Sequence, residues 1–130
     1  MISRNLKKLE EKAGEVRLVN DKIKVRVIKF NFNRPYKADE YKAIYDELDK
    51  IDVSLMMNNV GYGYLKDGLN YHTINDHNII SLYQINLVSM IFMTKYFLNR
   101  ALARENQKSG IINVSSISLK FASPGSHSSV

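Results

Sequence analysis

Residues 53–61 read VSLMMNNVG. The apolar run at 53–57 is short, continuous and ends in Asn58-Asn59-Val60-Gly61. Such a run suits a strand buried on both faces, as in a parallel sheet. On its N-terminal side, residues 38–50 carry Tyr41, Ile44, Tyr45 and Leu48 at helical spacing. Before them, residues 22–32 (KIKVRVIKFNF) alternate and are β-branched, a strand that Arg34-Pro35 ends. Ahead of that, Leu6, Leu9, Ala13 and Val16 predict a helix from Arg4 to about Asn20, capped by Ser3. On the C-terminal side, Gly61, Gly63 and Gly68 predict a loop. A long helix is expected over 76–106, stopped by Ser109-Gly110, and a short strand over 111–114. Helices and strands alternate, with crossovers long enough to join parallel strands. That order predicts an α/β, doubly wound parallel sheet. Ligands bind beyond the carboxyl ends of such strands. The three predicted ends, at residues 30–32, 58–61 and 115–116, are all polar or glycine-bearing.

The chain has 130 residues, enough for one small domain or a piece of a larger one. Its net charge is +6, and residues 1–50 hold 13 basic against 9 acidic side chains. The signs alternate along the chain, as on a solvated surface. A basic face can attract nucleic acid, anionic lipid or a phosphorylated cofactor, and charge alone does not choose among them. Cysteine is absent, which excludes disulfides and Cys-based zinc sites. His72, His77 and His127 lack a ligand spacing, so no metal site is expected. Residues 79–98 are long enough to span a bilayer, yet Gln84, Asn86 and Lys95 interrupt them. Polar groups at bilayer depth are costly, so this segment reads as a buried helix and the chain has no expected membrane span.

At its strand ends the sequence resembles the short-chain dehydrogenase/reductase family, over nearly the whole chain. Residues 58–61 (NNVG) look like the family's Asn-Asn-Ala-Gly motif after the fourth strand. Asn86 in YQINLVSM looks like the active-site helix asparagine, and GIINVSS (110–116) like the fifth strand with its catalytic serine. MISRNLKKL (1–9) looks like the end of the second strand and its helix. ISRNLKKLEE, Val60 and INVSSIS are closest in look to the very-long-chain 3-oxoacyl-CoA reductase and 17β-hydroxysteroid dehydrogenase subgroup.

The resemblance implies a partial Rossmann-type sheet, lacking its first, central strand and everything after the fifth. It implies NADPH-dependent reduction of a carbonyl on a lipid or acyl-CoA substrate. Ser116 is expected to donate a hydrogen bond to the carbonyl oxygen, with Ser115 and Ser118 as nearby alternatives. Asn86 is expected to perturb its helix so that a backbone carbonyl holds a water for proton relay. Arg4 occupies the place of a 2′-phosphate reader, which favours NADP(H) over NAD(H); the plainer reading is a surface arginine. Asn31 stands where many relatives have Asp beside the adenine, and Asn59 and Gly61 are expected against the adenosine. Asn58 is expected to bond neighbouring backbone and hold the strand end.

Further implications are a homodimer through the 76–106 helix, with Ile91, Phe92 and Tyr96 at the interface, and residence at the endoplasmic reticulum membrane. The cytoplasm is the alternative location. A basic nucleic-acid binder is the reading least supported. Two parts of the family pattern are not found in these 130 residues: a glycine-rich turn before Met1 and a Tyr-x-x-x-Lys after Ser116. The expectation is therefore a fragment, inactive and marginally stable alone. The alternative is a truncated, non-catalytic relative that serves as a binding partner.

Overall fold

The computed structural model describes residues 1–63, 71–104 and 107–116. The expected serine alternative Ser118, the glycine Gly68, His127 and the 121–130 loop lie outside the described residues, as do 105–106 of the expected long helix. The chain divides into two units, Met1–Phe32 and Asn33–Val130.

In the first unit, strand β1 (Ile2–Ser3) pairs in parallel with β2 (Ile28–Lys29), and helix α1 (Leu6–Val19) connects them. The register sets Ile2 beside Ile28 and Ser3 beside Lys29. The N-cap of α1 is Asn5 and not the expected Ser3, because Ser3 is committed to the ladder: its carbonyl accepts from Phe30 N at 3.0 Å. Asn5 Oδ1 accepts from Lys8 N at 3.0 Å, as a capping side chain should. The expected strand over 22–32 is also corrected to two residues. Among the described residues the ladder with β1 covers Ile28 and Lys29, and Met1 N donates to Arg26 O just before it at 2.7 Å. Leu9 and Ala13 form the buried stripe of α1.

In the second unit, α2 (Ala38–Leu48) leads to strand β3 (Leu55–Asn58). A 3-10 turn at Tyr71–Thr73 precedes α3 (Asp76–Tyr83), which Asn75 caps by accepting from Asn78 N at 2.9 Å. The expected single helix is then widened by a π turn, Gln84–Val88, before continuing as α4 (Ser89–Ala103). β4 (Gly110–Asn113) pairs in parallel with β3, and Asn58 sits beside Asn113.

Helix α2 lies on α4 through aromatic rings. Tyr45 stacks on Tyr96 at 4.2 Å between centroids, and Tyr36, just ahead of α2, on Phe92 at 3.6 Å. Tyr41 and Ile44 of α2 are nearly inaccessible, at 2% and 1%. Arg100 closes the contact: it donates to the Leu48 and Ile51 carbonyls (2.6 and 2.9 Å) and to Asp49 Oδ1 (3.0 Å). Four residues on, Arg104 grips Asp52 with two bonds, 2.7 and 2.8 Å. A bidentate guanidinium–carboxylate pair is directional as well as strong. These bonds anchor the segment entering β3. Phe92 and Tyr96, two of the three residues expected at a subunit interface, are thus engaged within their own chain, while Ile91 is 49% exposed.

Candidate active site

Each parallel pair delivers sequence-predicted residues at its carboxyl end. In the first unit, Arg4 follows β1 and Asn31 lies two residues past β2, on neighbouring in-register strands. Arg4 is exposed and Asn31 half-buried. In the second unit, Asn59 follows β3, while Ser115 and Ser116 follow β4 at the same end of the pair. Val114 N donates to Asn58 O at 3.0 Å, so the pairing continues one residue beyond the strand. Ser116 emerges exposed two residues later.

Asn58 holds this end together with its side chain. Its Nδ2 donates to Asn113 Oδ1 at 2.8 Å and to Thr94 Oγ1 at 3.0 Å. The expected backbone bonds are thus replaced by side-chain bonds to β4 and α4. Asn113 and Thr94 were not singled out from the sequence. An asparagine at the last position of each of two apolar runs is the signal that points to the first of them; nothing marks the second.

Asn86 sits in the middle of the π turn. Its Oδ1 accepts from Tyr62 N at 2.7 Å, and its Nδ2 donates to Tyr62 O at 2.9 Å. One side-chain amide thus satisfies both backbone groups of the residue after Gly61. The Tyr62 hydroxyl also approaches Asn78 Oδ1 of α3, at 3.4 Å. Within the π turn the backbone N–H of Ser89 bonds Gln84 O, five residues back, and its hydroxyl donates to Ile85 O at 2.5 Å. Gln84 Oε1 is buried with no hydrogen-bond partner among the described residues. π turns of this kind occur disproportionately at functional sites.

Gly61 tests whether a cofactor fits here. A Cβ built on it meets only Asn86 Oδ1, at 3.9 Å, an ordinary contact. Its backbone is outside the positive-φ region that favours glycine. Neither packing nor conformation within the described residues demands a glycine at this position. A ligand lying against the backbone would demand one. The backbone at Gly61 thus leaves open space among the described residues, where a ligand could approach the loop after β3. No group of three or more metal-ligating side chains occurs among the described residues.

Comparison with known proteins gives the family and the fold. The chain is 34% identical over 117 residues to human 17-beta-hydroxysteroid dehydrogenase type 3, covering 89% of this chain and 35% of that protein. It is 27% identical over 116 residues to a very-long-chain 3-oxoacyl-CoA reductase-like protein of Arabidopsis thaliana, with the same two coverages, 89% and 35%. The chain thus spans about a third of the length of these relatives. Among solved structures it resembles L-sorbose reductase from Gluconobacter frateurii, complexed with NADPH and L-sorbose, at a TM-score of 0.72 and 15% identity. That match covers 89% of this chain and 41% of the reductase, and it shows part of a Rossmann-type α/β fold. The short chain dehydrogenase family profile matches residues 1–128, and the chain belongs to that family of oxidoreductases.

Proposed function

We propose that these residues form part of an NADPH-dependent reductase acting on a carbonyl of a lipid substrate, a 3-oxoacyl-CoA or a ketosteroid. The observation that carries the reading is the joined strand end. Asn58 ties β3 to the strand that presents Ser116, and Asn86 ties its π turn to the residue after Gly61. NADPH, when bound, supplies the hydride. Hydride delivery builds negative charge on the carbonyl oxygen, and a hydroxyl donor at Ser116 aimed there lowers the barrier. Asn86 spends its side chain on Tyr62, so its contribution to proton movement runs through the backbone carbonyls of the π turn, where a water is held. Asn59 and Gly61 line the adenosine side and Asn31 the adenine. Arg4 offers a guanidinium fork to the 2′-phosphate, which favours NADP(H).

The test places residues 1–130 in the matching third of a very-long-chain 3-oxoacyl-CoA reductase. The chimera should oxidise NADPH with 3-oxoacyl-CoA. Ser116→Ala should lower kcat about 10²–10³-fold, the usual loss for one such donor. Arg4→Glu should shift preference toward NADH. A chimera that folds, binds NADPH and does not depend on Ser116 would sink the reading. Residues 1–130 alone should show no turnover.

The subgroup likeness also supports residence at the endoplasmic reticulum membrane, which cell fractionation tests. No helix among the described residues is long and apolar enough to cross a membrane. For assembly, the α3–α4 run leaves Ile80, Tyr83, Leu87, Ile91 and Leu98 exposed at helical intervals. A second copy is the proposed occupant of that stripe. In the chimera, Leu87→Glu with Ile91→Glu should convert a sedimenting dimer to monomer; an unchanged sedimentation coefficient rejects the interface.

A further inference from the structure

The turn that ends α1 has a composition the reductase reading leaves unused. Leu18 and Val19, the last two residues of the helix, are 88% and 87% exposed. Ile23, across the turn, is 44% exposed. The turn is closed on itself: Ile23 N donates to Asn20 O at 3.2 Å, and Lys22 N to Asn20 Oδ1 at 3.0 Å. Arg17 Nη2 donates to Val25 O at 3.1 Å and holds the outgoing chain against the helix end. The three exposed apolar residues therefore flank one closed turn. Single exposed apolar residues need no explanation, whereas clustered exposed apolar surface marks interaction sites.

The charges around the turn say what chemistry would cover it. Between residues 17 and 26 stand Arg17, Lys22, Lys24 and Arg26, against Asp21 alone. Lys22 and Lys24, on the turn itself, are exposed. An exposed apolar turn flanked in sequence by cations matches the boundary of an anionic bilayer, where acyl chains take up the apolar side chains and headgroups meet the cations. We infer that the α1–β2 turn docks peripherally on anionic phospholipid bilayers, inserting Leu18 and Val19 while Lys22 and Lys24 contact headgroup phosphates. The inference is independent of the reductase reading, since it requires neither cofactor nor turnover.

The test is vesicle co-sedimentation of the 130-residue chain. Vesicles of phosphatidylcholine with about a third phosphatidylserine should bind it at least about tenfold more tightly than pure phosphatidylcholine, because each basic residue near such a surface adds attraction. Binding should weaken as salt rises, as exposed charges are screened. Leu18→Ser with Val19→Ser should reduce binding about tenfold or more, since the inserted apolar area is lost. Lys22→Glu with Lys24→Glu should abolish the anionic preference. Leu102→Ser is the control, since Leu102 is 84% exposed near the C-terminal end of α4; it should leave binding unchanged. Equal loss in all three variants would mean general stickiness and overturn the inference. So would absence of binding by the unaltered chain. A change of oligomeric state in the Leu18/Val19 variant, without vesicle binding, would make the turn a protein contact and reject the bilayer.

Discussion

The Asn86 amide is used at both of its ends, and that sets how it responds to substitution. Asn86→Asp keeps the shape and the acceptor facing Tyr62 N, but it replaces the donor Nδ2 with an oxygen facing Tyr62 O. Two acceptors then oppose each other in a part-buried place. The variant should lose about 1–3 kcal/mol, the cost of leaving a buried polar group unmatched. Urea unfolding of both proteins measures it. Asn86→Ala removes both bonds without creating the repulsion, and should cost less than Asp. An Ala variant as damaging as Asp would mean that contact between the amide and the loop, not hydrogen bonding, carries the effect. An asparagine in an apolar helix is conspicuous, so Asn86 was legible in the sequence. Its partner was not. Tyr62 takes part through its backbone, and a backbone group leaves no trace in side-chain chemistry.

At the scale of elements, the α2–α4 contact has a consequence for alkaline pH. Burial pushes the Tyr41 and Tyr45 hydroxyls up to about 12, from the ordinary 10, with neighbouring tyrosines adding to the shift. In the unfolded chain both ionise near the ordinary value of about 10. The fold therefore binds protons that the unfolded chain has already lost. The contact's contribution is whole below about pH 10 and falls away between about 10 and 12. Tyrosinate absorbance and helical circular dichroism, followed together, should show a group of late-ionising tyrosines whose titration coincides with loss of helix. Ionisation of all 8 tyrosines near pH 10 with helix intact would contradict the packing. The helical periods of α1 and α2 were legible because their apolar faces are narrow and their other faces charged. The π turn was not, since a one-residue insertion shifts an apolar face only by part of a turn, and residues around 84–88 are apolar on several sides. The strand over 22–32 was overextended for a different reason: propensity describes a residue's fitness for a ladder, while the length of the ladder is set by the partner.

For the whole molecule, the alternation of helices and strands carried the α/β class, and the parallel pairing of both strand pairs follows from the helical crossovers. What a continuous apolar strand does not reveal is which face finds cover. In β3 the half-buried Met56 and Asn58 alternate with the exposed Leu55 and Met57. Ile112 of β4 is exposed too, and so is Val114 just beyond it. One face of β3 is therefore bare in a strand composed for two-sided burial, and β3 has β4 as its one ladder partner among the described residues. Such surfaces drive association. The 130-residue chain should bind a hydrophobic dye such as ANS and associate as its concentration rises. Leu55→Thr with Met57→Thr introduces β-branched residues suited to a strand while removing apolar area, and should reduce both signals. Because both side chains are exposed, folding stability should move by no more than about 0.5 kcal/mol. Those two readings separate the alternatives. A large loss of stability would mean that this face is packed in solution, whereas lower dye binding at constant stability identifies an apolar face of the kind that helices cover in a doubly wound sheet.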